Sequence, residues 1–224
     1  TFKGFNELGI DFVQGYGLTE TSPITHLNPI YAFKVESVGK NLAKTECKIV
    51  SPDSEGNGII YIRGPQVMKG YYKNQEATDE ILEKDGWLNT GDVGHIDSEG
   101  YLYLTGRAKS IIVTDGGKNV FPEEIEDKFQ LYDEIEQICI IGYLKDKAMK
   151  VEGIRAVVYP SKALRDTLSK DEIAARISAI IEEVNKTLQS YKKITMVTVT
   201  DEPLEMTSTK KIKRFVVAQK YKLD

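Results

Sequence analysis

Residues 86–126 read GWLNTGDVGHIDSEGYLYLTGRAKSIIVTDGGKNVFPEEIE. They set an acid (Asp92), an arginine (Arg107), a lysine (Lys109) and a glycine pair (Gly116, Gly117) within one short span. The Thr90-Gly91-Asp92 turn is followed by an alternating run, Tyr101 to Leu104, that ends on Gly106-Arg107. This spacing predicts a tight strand with a carboxylate and a guanidinium at its opposite ends. A carboxylate that accepts two hydrogen bonds, beside a guanidinium that donates several, can hold a vicinal diol such as that of a ribose. Taken alone, the same residues fit a surface hairpin, because Thr-Gly-Asp occurs in many turns.

Outward from this span the texture of the chain differs on its two sides, which predicts an α+β fold. On the N-terminal side, residues 1–14 read as the end of a helix, a stop at Gly9 and a short strand through Phe12 and Val13. Strand-like runs then alternate with turn clusters (Cys47 to Val50, Ile59 to Arg63, Tyr101 to Leu104), as in a small β-barrel or meander, with helical signal only at Gln75 to Lys84. The C-terminal side is mixed α/β. It offers a strand at Ser110 to Thr114, a helix at Pro122 to Leu131 opened by proline, and strands at Ile135 to Gly142 and Ile154 to Pro160. Ser169-Lys170-Asp171-Glu172 is a capping box, and Ile173, Ile177, Ile180, Ile181, Val184 and Leu188 follow at helical spacing. A strand at Thr195 to Val199 and a helical stretch at Lys211 to Lys220 complete the pattern. The expected division is 1–106 for the first domain and 107–224 for the second.

The 224 residues carry 41% apolar and 29% charged side chains, ordinary for a globular protein with a real core. A net charge of −4 argues against a nucleic-acid partner, which requires a clustered positive surface. Cys47 and Cys139 each sit in a strand-like apolar run and read as small hydrophobes, so no disulfide framework is expected. No leader pattern and no apolar run of about 20 residues is present, which predicts a cytoplasmic protein without a membrane span. His26 and His95, the only histidines, lack the neighbours of a zinc site, and no Gly-x-Ser-x-Gly elbow suggests a hydrolase.

Two further segments change the weight of the first. Upstream lies Gly15-Tyr16-Gly17-Leu18-Thr19-Glu20-Thr21, an aromatic beside a small residue with a hydroxyl and a carboxylate next to them. An aromatic face can stack on a base, and the polar pair can reach phosphate and its metal. Near the C-terminus lies Thr207-Ser208-Thr209-Lys210-Lys211-Ile212-Lys213-Arg214. In this order and at these separations the three segments resemble the acyl-adenylate-forming (AMP-binding) superfamily, most nearly its long-chain fatty-acid CoA ligases, along essentially the whole chain.

The resemblance implies a remnant of the large AMP-binding domain followed by the small mobile domain of the acetyl-CoA synthetase-like fold. It places Tyr16 on adenine with Gly17 beside it, Thr19 on the α-phosphate and Glu20 on Mg²⁺, where one carboxylate suffices beside phosphate oxygens and water. Asp92 and Arg107 would hold the ribose and phosphate side, Lys109 would be the hinge, and Gly117 would belong to the loop lining the pantetheine tunnel. Lys211 would bridge the substrate carboxylate and the α-phosphate and stabilise charge in the adenylation transition state. The family pattern of threonine, two residues, glycine, lysine selects Lys211 over Lys210, which stands where many members carry glycine. That departure also occurs in long-chain acyl ligases. A solvated basic face formed with Lys210, Lys213, Arg214, Lys220 and Lys222 is the plainer reading of the same residues.

The implied partners are a carboxylic acid, on this resemblance a fatty acid, with ATP/AMP, Mg²⁺ and coenzyme A as substrate. Peripheral membrane association of a longer protein stays open. The family's phosphate loop, a Ser/Thr/Gly-rich run ending in lysine, does not occur in this chain. The expectation is therefore a C-terminal portion of a ligase, unable by itself to complete adenylation. An adenylating enzyme with a carrier-protein acceptor, or a non-catalytic nucleotide-binding module, are the other readings.

Overall fold

The computed structural model describes residues 2–10, 12–114, 117–146 and 151–221. The chain divides into two compact units, Thr1–Lys109 and Ser110–Asp224. Gly116 and Lys222, singled out in the sequence, lie outside the described residues.

The first unit opens with helix α1 (Phe2–Glu7) and continues through strands β1 (Gly15–Tyr16), β2 (His26–Leu27), β3 (Ser37–Asn41), β4 (Glu46–Val50) and β5 (Gly58–Arg63). Helix α2 (Gln75–Ile81) and strands β6 (Leu88–Ile96) and β7 (Leu102–Arg107) complete it. The strands form one antiparallel sheet in the order β1-β2-β3-β7-β6-β5-β4. The expected barrel is thus an open meander: β1 and β4 are edges and do not pair with each other. Alternation drives it. Gly58, Ile60 and Ile62 of β5 are buried while Ile59, Tyr61 and Arg63 are half-exposed, and Ile60 and Ile62 join Tyr16, Val38 and Leu102 in the core.

Three local expectations change in this unit. Phe12 and Val13 are exposed and form no strand, because pairing begins only at Gly15 and Tyr16. Helix α2 ends at Ile81, short of Lys84. Asp92 and Arg107 do not stand at the two ends of one strand: the Thr-Gly-Asp segment lies within β6, which bulges there with Gly91 at φ +70°, and Asp92 pairs with Arg107 across the β6/β7 ladder.

The second unit begins with the hairpin β8 (Ile112–Val113) and β9 (Asn119–Val120), followed by α3 (Pro122–Glu126). Next come β10 (Ile135–Asp146), β11 (Val151–Pro160), α4 (Lys162–Thr167), α5 (Lys170–Thr187), β12 (Met196–Val199) and α6 (Arg214–Tyr221). β10 and β11 are antiparallel, whereas β12 lies parallel to β11. A parallel neighbour requires a crossover of a dozen or more residues, and α4 with α5 supplies it. The Ser169–Glu172 capping box starts α5, with the Ser169 side chain accepting from Glu172 N–H. Its predicted apolar face is real: Ile173, Ile177, Ile180, Ile181 and Val184 are buried.

The sheet of this unit is covered on both faces, and the period of two in β10 and β11 assigns each residue its side. Ile140, Ile154, Ala156 and Val158 pack with α5. Cys139, Ile141 and Val157 pack with Leu204 and with Val217 of α6. Each isoleucine so buried contributes roughly 1.5–3 kcal/mol. The helix expected at Pro122 to Leu131 stops at Glu126 and tightens into a 3-10 turn, Asp127–Phe129, leaving Leu131 exposed. The helix expected from Lys211 begins only at Arg214, because Met206 and Ile212 bridge to make a tight turn first.

Candidate active site

The register of β6 and β7 puts Asp92 opposite Arg107, and Arg107 Nε lies 3.0 Å from Asp92 Oδ1. The other carboxylate oxygen, Oδ2, accepts the hydroxyl of Tyr16 at 2.7 Å. Asp92 N–H donates to Thr90 Oγ1, which donates in turn to the carbonyl of Ile60. A carboxylate has about four lone-pair sites. Asp92 uses one on each oxygen here and keeps capacity for two hydroxyl donors. Burial, reinforced by the negative Asp92, drives the Tyr16 phenol well above its ordinary pKa, so it stays a donor at any physiological pH.

Tyr16 is 8% exposed, its ring lying in the core. Next to it, a Cβ on Gly17 would come 1.9 Å from the carbonyl oxygen of Pro23, so only glycine fits. Thr19 is exposed and Glu20 half-buried on a 3-10 turn, Thr19–Thr21. Thr21 fixes that turn: its Oγ1 accepts from Leu18 N–H at 2.8 Å and donates to the Leu18 carbonyl.

A cavity of about 560 Å³ gathers Glu20, Arg107 and Lys109 with Leu18, Tyr71 and Thr90. That volume suits a small molecule. Tyr16 and Asp92 do not line it but connect to it through Arg107, whose side chain is 59% exposed and whose Nε alone is engaged by Asp92. Tyr71, which sequence reasoning missed, donates its hydroxyl to Glu20 Oε1 at 2.7 Å. No group of three or more His, Cys, Asp or Glu residues able to hold a metal occurs among the described residues.

Lys109 is the last residue of the first unit and lies in a 3-10 turn, Ala108–Ser110. Within the second unit, Gly117 has φ +71° in a tight turn. Lys211 is exposed in the turn that precedes α6. Thr207 organises that turn: its N–H donates to the Lys211 carbonyl at 2.8 Å and its Oγ1 accepts from Lys211 N–H at 3.1 Å. Lys210 adopts φ +59°, the left-handed region that glycine enters without cost. Lys213 pairs with Glu205, Arg214 with Glu123 and Glu126, and Lys220 with Glu202, whereas Lys210 and Lys211 have no ion-pair partner among the described residues.

The AMP-binding enzyme model matches residues 1–72, and the AMP-binding enzyme C-terminal domain matches residues 109–224. A chloroplastic long-chain-fatty-acid–acyl-carrier-protein ligase of Arabidopsis thaliana is 35% identical over 98% of this chain and 33% of its own length. A long-chain-fatty-acid CoA ligase of Mycobacterium bovis is 32% identical over 96% of this chain and 38% of its own. The chain thus spans about a third of the length of these curated relatives. Among solved structures, O-succinylbenzoate coenzyme A synthetase of Bacillus subtilis with its acyl-adenylate aligns at a TM-score of 0.78 and 28% identity, over 100% of this chain and 44% of that one. The same enzyme with ATP and magnesium aligns at 0.75 and 28% identity, over 96% and 42% of the two chains. With one family model covering the C-terminal 116 residues and its companion the N-terminal 72, the chain belongs to the AMP-binding, acyl-adenylate-forming enzymes.

Proposed function

We propose that this protein is a portion of an ATP-dependent acyl-CoA ligase acting on a fatty acid. A carboxylate is a poor electrophile, so the acid first attacks the α-phosphate of ATP, forming acyl-AMP and releasing pyrophosphate. The thiol of coenzyme A then displaces AMP to give the thioester. One observation carries the reading: the cavity that joins Glu20 and Arg107, with Asp92 held behind Arg107 by the β6/β7 register.

In this reading Asp92 and Arg107 take the ribose, Tyr16 and Gly17 border the base and Thr19 reaches the α-phosphate. Lys211 neutralises charge developing between the acid and that phosphate. Lys211, like Lys210, is exposed and has no ion-pair partner among the described residues, which leaves its ammonium available to a ligand, and the family spacing from Thr207 selects it over Lys210. Lys109, at the passage between the two units, acts as the hinge, and the Gly117 turn meets the pantetheine arm. Magnesium fits the donor set, since a single carboxylate, Glu20, together with nucleotide phosphate oxygens is its usual arrangement. When bound it would neutralise phosphate charge. A cytoplasmic location belongs to the same proposal.

A second acceptor, a carrier-protein thiol, is supported by the similarity to the Arabidopsis acyl-carrier-protein ligase. Calorimetry tests the nucleotide reading directly. AMP should bind, 2′-deoxy-AMP should bind roughly tenfold more weakly because Asp92 loses a donor, and Asp92→Ala should erase the difference. Equal affinity for the two nucleotides, or binding of neither, would reject it.

A further inference from the structure

Tyr71 is the only described residue that donates a hydrogen bond to the Glu20 side chain. The tether is double, because Met68 N–H also donates to the Glu20 main-chain carbonyl at 2.8 Å. Tyr71 is itself fixed by the start of α2: its N–H donates to Thr78 Oγ1 at 2.9 Å, and Thr78 Oγ1 donates to the Asn74 carbonyl at 2.8 Å. Asn74 caps the helix by accepting from Ala77 N–H. Gly70 makes the approach feasible, since at φ +142° a Cβ would sit 2.8 Å from the Thr78 methyl. The whole Gly70-to-Thr78 turn therefore presents one phenol to one carboxylate.

We propose that Tyr71 is a positioning residue for Glu20: its hydroxyl fixes Oε1 and leaves Oε2 for the divalent metal of a metal–nucleotide ligand. The inference rests on the reading of Glu20 as the metal-side carboxylate. A glutamate has several rotatable torsions, and ordering them when the ligand arrives weakens binding. Tyr71 orders them beforehand. Both residues line the cavity that receives the nucleotide in that reading.

The test titrates Mn²⁺ into the protein with a non-hydrolysable ATP analogue and follows free Mn²⁺ by electron paramagnetic resonance. Tyr71→Phe should weaken Mn²⁺ uptake by roughly three- to tenfold, with the thermal midpoint and the metal-free affinity for the analogue unchanged. Glu20→Gln should weaken it at least as much, and the double variant should bind no more weakly than Glu20→Gln alone, since the phenol acts only through that carboxylate. Wild-type uptake by Tyr71→Phe, with Glu20→Gln impaired, overturns the role of Tyr71 and leaves that of Glu20 standing. Unimpaired Glu20→Gln, or a wild type that takes up no Mn²⁺ with the analogue, overturns both.

Discussion

The hydroxyl of Tyr16 donates to Asp92 Oδ2 at 2.7 Å, and the two side chains meet where each residue is only 8% exposed. Asp92 has a second partner in Arg107, but that side chain is 59% exposed and water screens the pair. The neutral hydroxyl therefore outweighs the cation in holding the carboxylate in place. Tyr16→Phe should destabilise the first unit by about 1.5–3 kcal/mol, the range for a hydrogen bond to a charged group. Arg107→Ala should cost less than about 1 kcal/mol. Urea denaturation of both variants checks the order, and a larger loss for Arg107→Ala would show that the ion pair dominates.

Lys210 offers a test of the turn that presents Lys211. A non-glycine residue in the left-handed region costs roughly 1–2 kcal/mol, while glycine loses roughly 0.5–1 kcal/mol more backbone entropy on folding. The two terms nearly offset, with strain the larger. Lys210→Gly should thus be neutral or stabilising by up to about 1 kcal/mol, although it removes a side chain. Thr207→Ala, by contrast, loses the acceptor for Lys211 N–H and should destabilise the turn, by about 1 kcal/mol. Thermal unfolding of the two variants decides it; opposite signs to these would place the strain elsewhere.

How far the sequence disclosed this architecture depended on whether the signal was local. Helix α5 was legible because its capping box and its isoleucines lie within one continuous segment. The passage of β6 through Thr90-Gly91-Asp92 was not, since glycines punctuate the segment as turns do; β6 absorbs it as a bulge with Gly91 at φ +70°, pairing again with β7 at Asp92 and with β5 at Val93. Asp92 and Arg107 were recognisable as chemistry, but their cross-strand meeting depends on register, which single-residue spacing does not encode. Tyr71 went unnoticed for the same reason: its partner Glu20 is 51 residues away, and a tyrosine in a Gly-Tyr-Tyr turn carries no local mark. The late start of α6 follows from the turn around Lys210, whose positive φ no helical residue shares.

Arg214 closes the second unit from within. It donates to Glu123, to Glu126 and to the carbonyl of Ile140, and Glu126 also accepts from Ile140 N–H at 2.7 Å. This cluster ties the start of α6 to α3 and β10. Removing the guanidinium strands the largely buried Glu126 carboxylate, so Arg214→Ala should cost about 3–5 kcal/mol. Pairing it with Glu126→Gln should recover part of the loss, because the stranded charge disappears. Chemical denaturation of the single and double variants measures the coupling, and strict additivity would mean the charges act independently.

His26 gives the first unit a pH dependence whose sign can be derived. The ring is fully buried, with Nδ1 2.9 Å from Thr25 Oγ1, and burial lowers its pKa from 6.5 to about 4. In the unfolded chain the ring takes a proton near 6.5, whereas in the folded chain it stays neutral until about 4. Between these values the unfolded state binds more protons, so the contribution is complete above pH 6.5 and is lost as the pH falls towards 4. The slope can reach about 1.4 kcal/mol per pH unit. Asp97, which hydrogen bonding to Lys34 holds down at about 2 against an ordinary 3.8, and Glu46, held below its ordinary 4.5 by its hydrogen bond to Arg63, add a dependence of the same sign at the acid end, so the comparison with a His26 variant isolates the imidazole. Urea midpoints from pH 7.5 to 4.5 should therefore fall for the wild type and fall less for His26→Asn, even if that variant is less stable throughout. Parallel curves would mean that the buried imidazole is not the group responsible.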